Sequence, residues 1–103
     1  MSLSPKKLTT AQIAKLLTKV PDWNLNVRQT ELSRIFSFKE FITGLSFVAK
    51  VTVHAEIKQH HPVIELSYGK VKVSFTTHDI KGLSKLDFEL AQSIDSSIAI
   101  TRP

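Results

Sequence analysis

There is no cysteine among the 103 residues. That excludes a disulfide framework and any thiolate zinc site. It agrees with an intracellular, reducing compartment, and a cytoplasmic location is the expectation. Glycine is scarce, at three residues, and the chain has neither a glycine-rich phosphate loop nor a G-x-S-x-G elbow around a nucleophilic serine. No apolar run approaches the roughly 18 residues of a membrane span. The start, Met1-Ser2-Leu3-Ser4-Pro5, lacks the apolar core of a signal peptide. Internal repeats, low-complexity segments and linkers are also missing. The net charge is +5, yet the fourteen basic residues are scattered and their longest run is Lys6-Lys7. A nucleic-acid footprint needs clustering or a recognisable motif. The charge therefore reads as a solvated surface and argues against direct nucleic-acid binding, while leaving open an anionic small substrate or an anionic surface.

What is present is ordinary in amount: 42% hydrophobic and 22% charged residues, the balance of a soluble globular protein. A chain of this length forms one domain, here residues 1–103, and buries roughly two thirds of its unfolded surface. Residues 1–7 read as a loose arm.

The same helix-start signal then occurs three times. Thr9 is a cap with Gln12 reaching back, and Leu8 and Ile13 flank the pair. Ser37 and Glu40 repeat it between Phe36 and Phe41. Ser84 and Asp87 repeat it between Leu83 and Phe88. The first helix runs to about Lys19 and stops at Val20-Pro21. The second runs to about Gln59, with Phe41, Leu45, Val48, Thr52 and Ala55 as its apolar stripe. The third carries Leu86, Leu90, Ile94 and Ile98, and Thr101-Arg102-Pro103 fray.

Between them lie strands. Trp23 to Val27 alternates cleanly, Arg28-Gln29-Thr30 turns, and Glu31 to Phe36 returns. Val63 to Tyr68 and Lys70 to Thr77 form a second pair about Gly69. The order α-β-β-α-β-β-α predicts an α+β fold: a four-stranded antiparallel sheet with three helices on one face.

Chemistry concentrates in two stretches. One is Glu56-Ile57-Lys58-Gln59-His60-His61-Pro62, at the end of the second helix. Glu56 and His60 are one turn apart and can touch. Pro62 stops the helix and pushes His61 toward extended geometry. The other is Thr76-Thr77-His78-Asp79, at the end of the last strand. His54 falls on the polar side of its helix and reads as a surface histidine. A zinc site built from the histidines and Glu56 is the rival reading. Adjacent His60 and His61 project apart, however, and the HExxH spacing is absent. General acid–base work by imidazoles, which titrate near neutrality, is the chemistry that remains.

Glu56, His60-His61-Pro62, Tyr68, His78 and Asp87 together resemble the signature of the pterin-4a-carbinolamine dehydratases. Thr77-His78, Gly82-Leu83-Ser84, Leu90-Ala91 and the early Trp23 resemble other parts of that family. The resemblance implies an enzyme, a hydro-lyase. It would remove water from the 4a-hydroxytetrahydropterin left by aromatic amino acid hydroxylases and give quinonoid dihydropterin, a step of tetrahydrobiopterin recycling. Pterin is then the substrate, and neither cofactor nor metal is expected. The resemblance implies a catalytic set of His60, His61 and His78, with Glu56 holding His60. Gln59, Thr76, Thr77 and Asp79 would meet the pterin with the histidines. Trp23 would wall the site, a core tryptophan being the equal alternative. Capping accounts for Asp87, and Tyr68 reads as structural, so both stay outside the expected site.

Three positions depart from the family pattern. Val63-Ile64 stands where many members carry an acidic-aromatic pair, and Gln59 where an acid is common. The family also implies a homodimer or homotetramer, with an aromatic amino acid hydroxylase or a transcription factor as partner. The second of these gives the alternative function, a non-catalytic binding module on the same fold.

Overall fold

The computed structural model describes residues 5–101, and side chains of residues 5–98. The first four residues of the expected arm and the expected fraying at Arg102-Pro103 lie outside the described residues. Three α-helices and four strands follow one another as α1 (Thr10–Leu17), β1 (Asn24–Leu25), β2 (Leu32–Ser37), α2 (Phe41–Lys58), β3 (Val63–Ser67), β4 (Lys70–Phe75) and α3 (Lys85–Thr101). The expected order and fold class hold. The four strands form one antiparallel sheet in the order β1-β2-β4-β3.

Local hydrogen bonds explain α1. The Thr9 side chain accepts from the Gln12 N–H, and the Gln12 side chain accepts from the Thr9 N–H. Ile13 is buried, so one face of this short helix is anchored.

The second capping signal fails. Ser37 is still in β2, and α2 opens four residues later, after Glu40, whose side chain caps nothing. The stripe moves with it. Gly44, Phe47, Val51 and Ala55 are buried, whereas Phe41 and Leu45 are each 47% exposed. The reason is that apolar residues occur at nearly every angle around α2, interleaved with polar ones, so periodicity alone names no single face. Small residues decide it. A Cβ at Gly44 would stand 3.2 Å from Leu66 Cδ1 and 3.5 Å from Val71 Cγ2, so the helix approaches the sheet there.

The core lies between the sheet and its helices. Leu32 and Phe36 of β2 pair with Phe75 and Val71 of β4, and all four are buried with Val73, Leu83, Phe88, Leu90 and Ile94. The strands are shorter than expected: β1 holds two residues and β4 ends at Phe75 rather than Thr77.

The β3–β4 hairpin brings two separate stretches of chain together. Its register pairs Val63 with Ser74. The residues just before β3, His60 to Pro62, therefore lie beside those just after β4, Thr76 to His78.

Candidate active site

The end of α2 is a tight left-handed stop. Gln59 has φ 51° and ψ 43°. Its N–H donates to the Glu56 carbonyl and the His60 N–H to the Ala55 carbonyl, at 3.2 and 3.1 Å. This is the paired bonding of a Schellman end, formed here without glycine. It throws His60 inward and His61 outward.

His60 lies over Phe75, ring centroids 6.3 Å apart and planes 9° from parallel. Its Nε2 is 2.6 Å from Asp87 Oδ1. Asp87 is wholly buried, and its other oxygen accepts from the Thr77 hydroxyl at 2.7 Å and the Ser84 N–H at 2.9 Å. Thr77 spends its one hydroxyl hydrogen on Asp87, so Ser84 donates the 2.8 Å bond between the two hydroxyls. Acting as a carboxylate, Asp87 only accepts. His60 Nε2 therefore carries hydrogen, and Nδ1 is the ring nitrogen left for exchange with a ligand.

His61 makes the other pairing. Its Nε2 is 2.5 Å from Glu56 Oε2, and both side chains are more than half exposed. Glu56 thus holds His61, not His60 as expected. The reversed turn at Gln59 takes His60 off the helical spiral, so the one-turn rule does not reach it.

His78 comes from the loop after β4. A 3-10 turn spans His78–Ile80, not the strand end that the pattern suggested. The loop is closed beneath it by the bridge between Thr77 and Gly82, with the Thr77 N–H donating to the Gly82 carbonyl at 2.9 Å. The Thr76 hydroxyl donates to the Thr30 carbonyl at 2.5 Å.

These pieces enclose one hollow of about 410 Å³, lined by Pro5, Gln59, His60, His61, Thr76, Thr77, His78, Asp79 and Leu86. Three imidazoles from two segments meet there. Gln59, Thr76, Thr77 and Asp79 also line it, as expected. Trp23 does not. It is buried against Phe36 and Phe75, and its indole N–H donates to Asp95 at 2.9 Å. Its apolar bulk belongs to the core, and Asp95 satisfies its polar edge. His54 is away from the hollow, beside Gln92 and Ser96.

Asp87 is the residue that sequence reasoning left out. Capping explains only one carboxylate oxygen. The second oxygen is taken by His60, because a buried carboxylate needs donors on both. A larger hollow of about 670 Å³ lies between β2 and α2. It contains no histidine, and its Arg34 is engaged with Asp95 at 2.8 Å. Among the described residues no three histidine or acidic side chains come together as a metal site requires, and no helix is long and apolar enough to cross a membrane.

Comparison with known proteins identifies the family and the fold. Residues 6–97 match the family described as pterin 4 alpha carbinolamine dehydratase. A protein from Picosynechococcus sp., provisionally named pterin-4-alpha-carbinolamine dehydratase, is 43% identical over 89 residues, 86% of this chain and 95% of its own. One from Halorhodospira halophila, with the same provisional name, is 44% identical over 85 residues, 82% and 78% of the two chains. Among solved structures, the transcriptional coactivator/pterin dehydratase from Brucella melitensis superposes with a TM-score of 0.82 at 28% identity. That match covers 88% of this chain and 97% of the other.

Proposed function

The chain belongs to the pterin-4a-carbinolamine dehydratase family, and from that premise we propose that it dehydrates 4a-hydroxytetrahydropterin by histidine acid–base catalysis. The observation that carries the reading is the convergence of His60, His61 and His78 on one hollow.

The elimination breaks the C4a–O bond and forms a C4a=N5 double bond. One proton must reach the departing hydroxyl, which leaves as water, and one must leave N5. His78, with an exposed side chain, and His60, through Nδ1, are the two groups assigned to these transfers. His61, braced by Glu56, orients the pterin or shares the work. Asp87 does not touch substrate. It is a positioning residue that fixes the ring and tautomer of His60, with Thr77 and Ser84 fixing Asp87 in turn. Proton transfers of this kind contribute about 10²–10⁴ in rate. The product, a quinonoid dihydropterin, is what a reductase in a recycling sequence would consume.

Self-association fits the same proposal. Ile42, Val53 and Ile57 of α2 are 63%, 58% and 73% exposed, and their spacing puts them on one side of the helix, where a second copy would cover them. The second reading, a non-catalytic binding module, is favoured by the coactivator description of the Brucella protein. One experiment separates the two: stopped-flow decay of the 4a-carbinolamine with and without the protein. Acceleration at catalytic protein concentrations supports the enzyme, and an unchanged decay refutes it.

A further inference from the structure

Next to the histidine hollow lies a second one, of about 420 Å³, lined by Lys6, Lys7, Lys85 and Glu89 among others. The two share Pro5 and Leu86 as a common wall. The arm that carries the first two lysines is held in place. The Leu8 N–H donates to the Leu83 carbonyl at 2.8 Å. The Lys7 stem crosses Gly82 so closely that a Cβ there would stand 2.7 Å from Lys7 Cε. Among the described residues, the ion pairs engage Arg34, Lys58, His60 and His61, and none of Lys6, Lys7 and Lys85. Glu89, the one acid in the lining, faces Lys58 at 3.7 Å. Three lysines outside those ion pairs therefore line a space that adjoins the site across Pro5 and Leu86.

We propose that this hollow receives an anionic group on the substrate's side chain, so that the pterin carries a C6 tail ending in phosphate or carboxylate rather than a neutral tail. The inference rests on the dehydratase reading. In a pterin, C6 adjoins N5. When the imidazoles hold the C4a–N5 edge, a C6 tail starts one bond beyond that edge. Pro5 and Leu86 are the apolar members of the site's lining and suit the hydrocarbon of a tail. The lysines beyond them suit its charged end. Cations on a rim attract an anion over roughly a Debye length, about 30 Å at 0.01 M salt and about 3 Å at 1 M.

The test uses three stable ligands: a 7,8-dihydropterin with a neutral dihydroxypropyl tail, its phosphate monoester, and one whose tail ends in carboxylate. Each is titrated by fluorescence into the full chain and into a Lys6→Gln/Lys7→Gln/Lys85→Gln variant, at about 0.01 M and 1 M salt. Turnover of the neutral carbinolamine is measured in parallel. The expected result is anionic ligands binding about tenfold more tightly than the neutral one at low salt. That ratio should shrink toward unity at 1 M and fall to about one in the variant. The better of phosphate and carboxylate then identifies the natural end group. Equal affinities with turnover intact overturn this inference alone, as does a preference that survives loss of the lysines. No pterin binding and no turnover overturn both this inference and the reading beneath it.

Discussion

His60 Nε2 and Asp87 Oδ1 meet at 2.6 Å across 27 residues of sequence, the carboxylate wholly buried and the imidazole at the edge of the hollow. The first turn of α3 thereby sets the ring that ends α2. Asp87→Asn keeps the shape but replaces an acceptor-only group with one that also donates. The expected outcome is a loss of about 1–3 kcal/mol in urea unfolding, since buried donors lose their partner. The dehydration rate should fall at least tenfold with little change in KM. A variant as active as wild type removes Asp87 from the positioning role.

His78 is exposed, and among the described residues no hydrogen bond or ion pair engages its ring. His78→Ala should therefore leave stability within about 0.5 kcal/mol while dehydration slows by about 10²–10⁴. Thermal unfolding and stopped-flow decay of the carbinolamine, on one preparation, read both numbers. Unchanged turnover takes His78 out of the catalytic set.

The pairing of Glu56 with His61 separates two readings of the same sequence. Glu56→Gln should move the side-chain nitrogen resonances of His61 in an NMR spectrum and leave those of His60 in place. Stability should change by less than about 1 kcal/mol, the ordinary value of an exposed ion pair. A shift at His60 instead would restore the one-turn contact that the spacing suggested.

Gln59 holds a left-handed conformation that glycine adopts freely and β-branched residues resist. Gln59→Val should cost about 1–2 kcal/mol by this strain, and Gln59→Gly should be neutral or mildly stabilising. Thermal denaturation of the pair decides it. Equal stability of the valine and glycine variants would mean that the turn relaxes.

The buried side of α2 makes a further prediction. Phe47→Ala should cost about 3–5 kcal/mol. Leu45→Ala, at a residue 47% exposed, should cost less than about 1 kcal/mol in dilute protein. Chemical denaturation distinguishes the two faces, and similar losses would return Leu45 to the core.

Much of this protein was written into short stretches of its chain. The Thr9–Gln12 box, the reach of Asp87 back to Ser84, and the turn between β3 and β4 each form within a few residues. The β3–β4 hairpin then brings His60, His61 and His78 to one end of the sheet, because antiparallel pairing returns the chain to where the strand began. Tertiary structure alone decided the rest. It chose which of several apolar sides of α2 would face the sheet, by letting Gly44 approach Leu66. It gave the second oxygen of Asp87 to His60, left Glu56 to His61, and drew Trp23 into the core beside Asp95, 72 residues away. Capping hydrogen bonds and periodicity are legible only over a turn or two of chain. Which of several equally apolar or polar partners a side chain meets depends on how whole elements stack, and no local pattern holds that information.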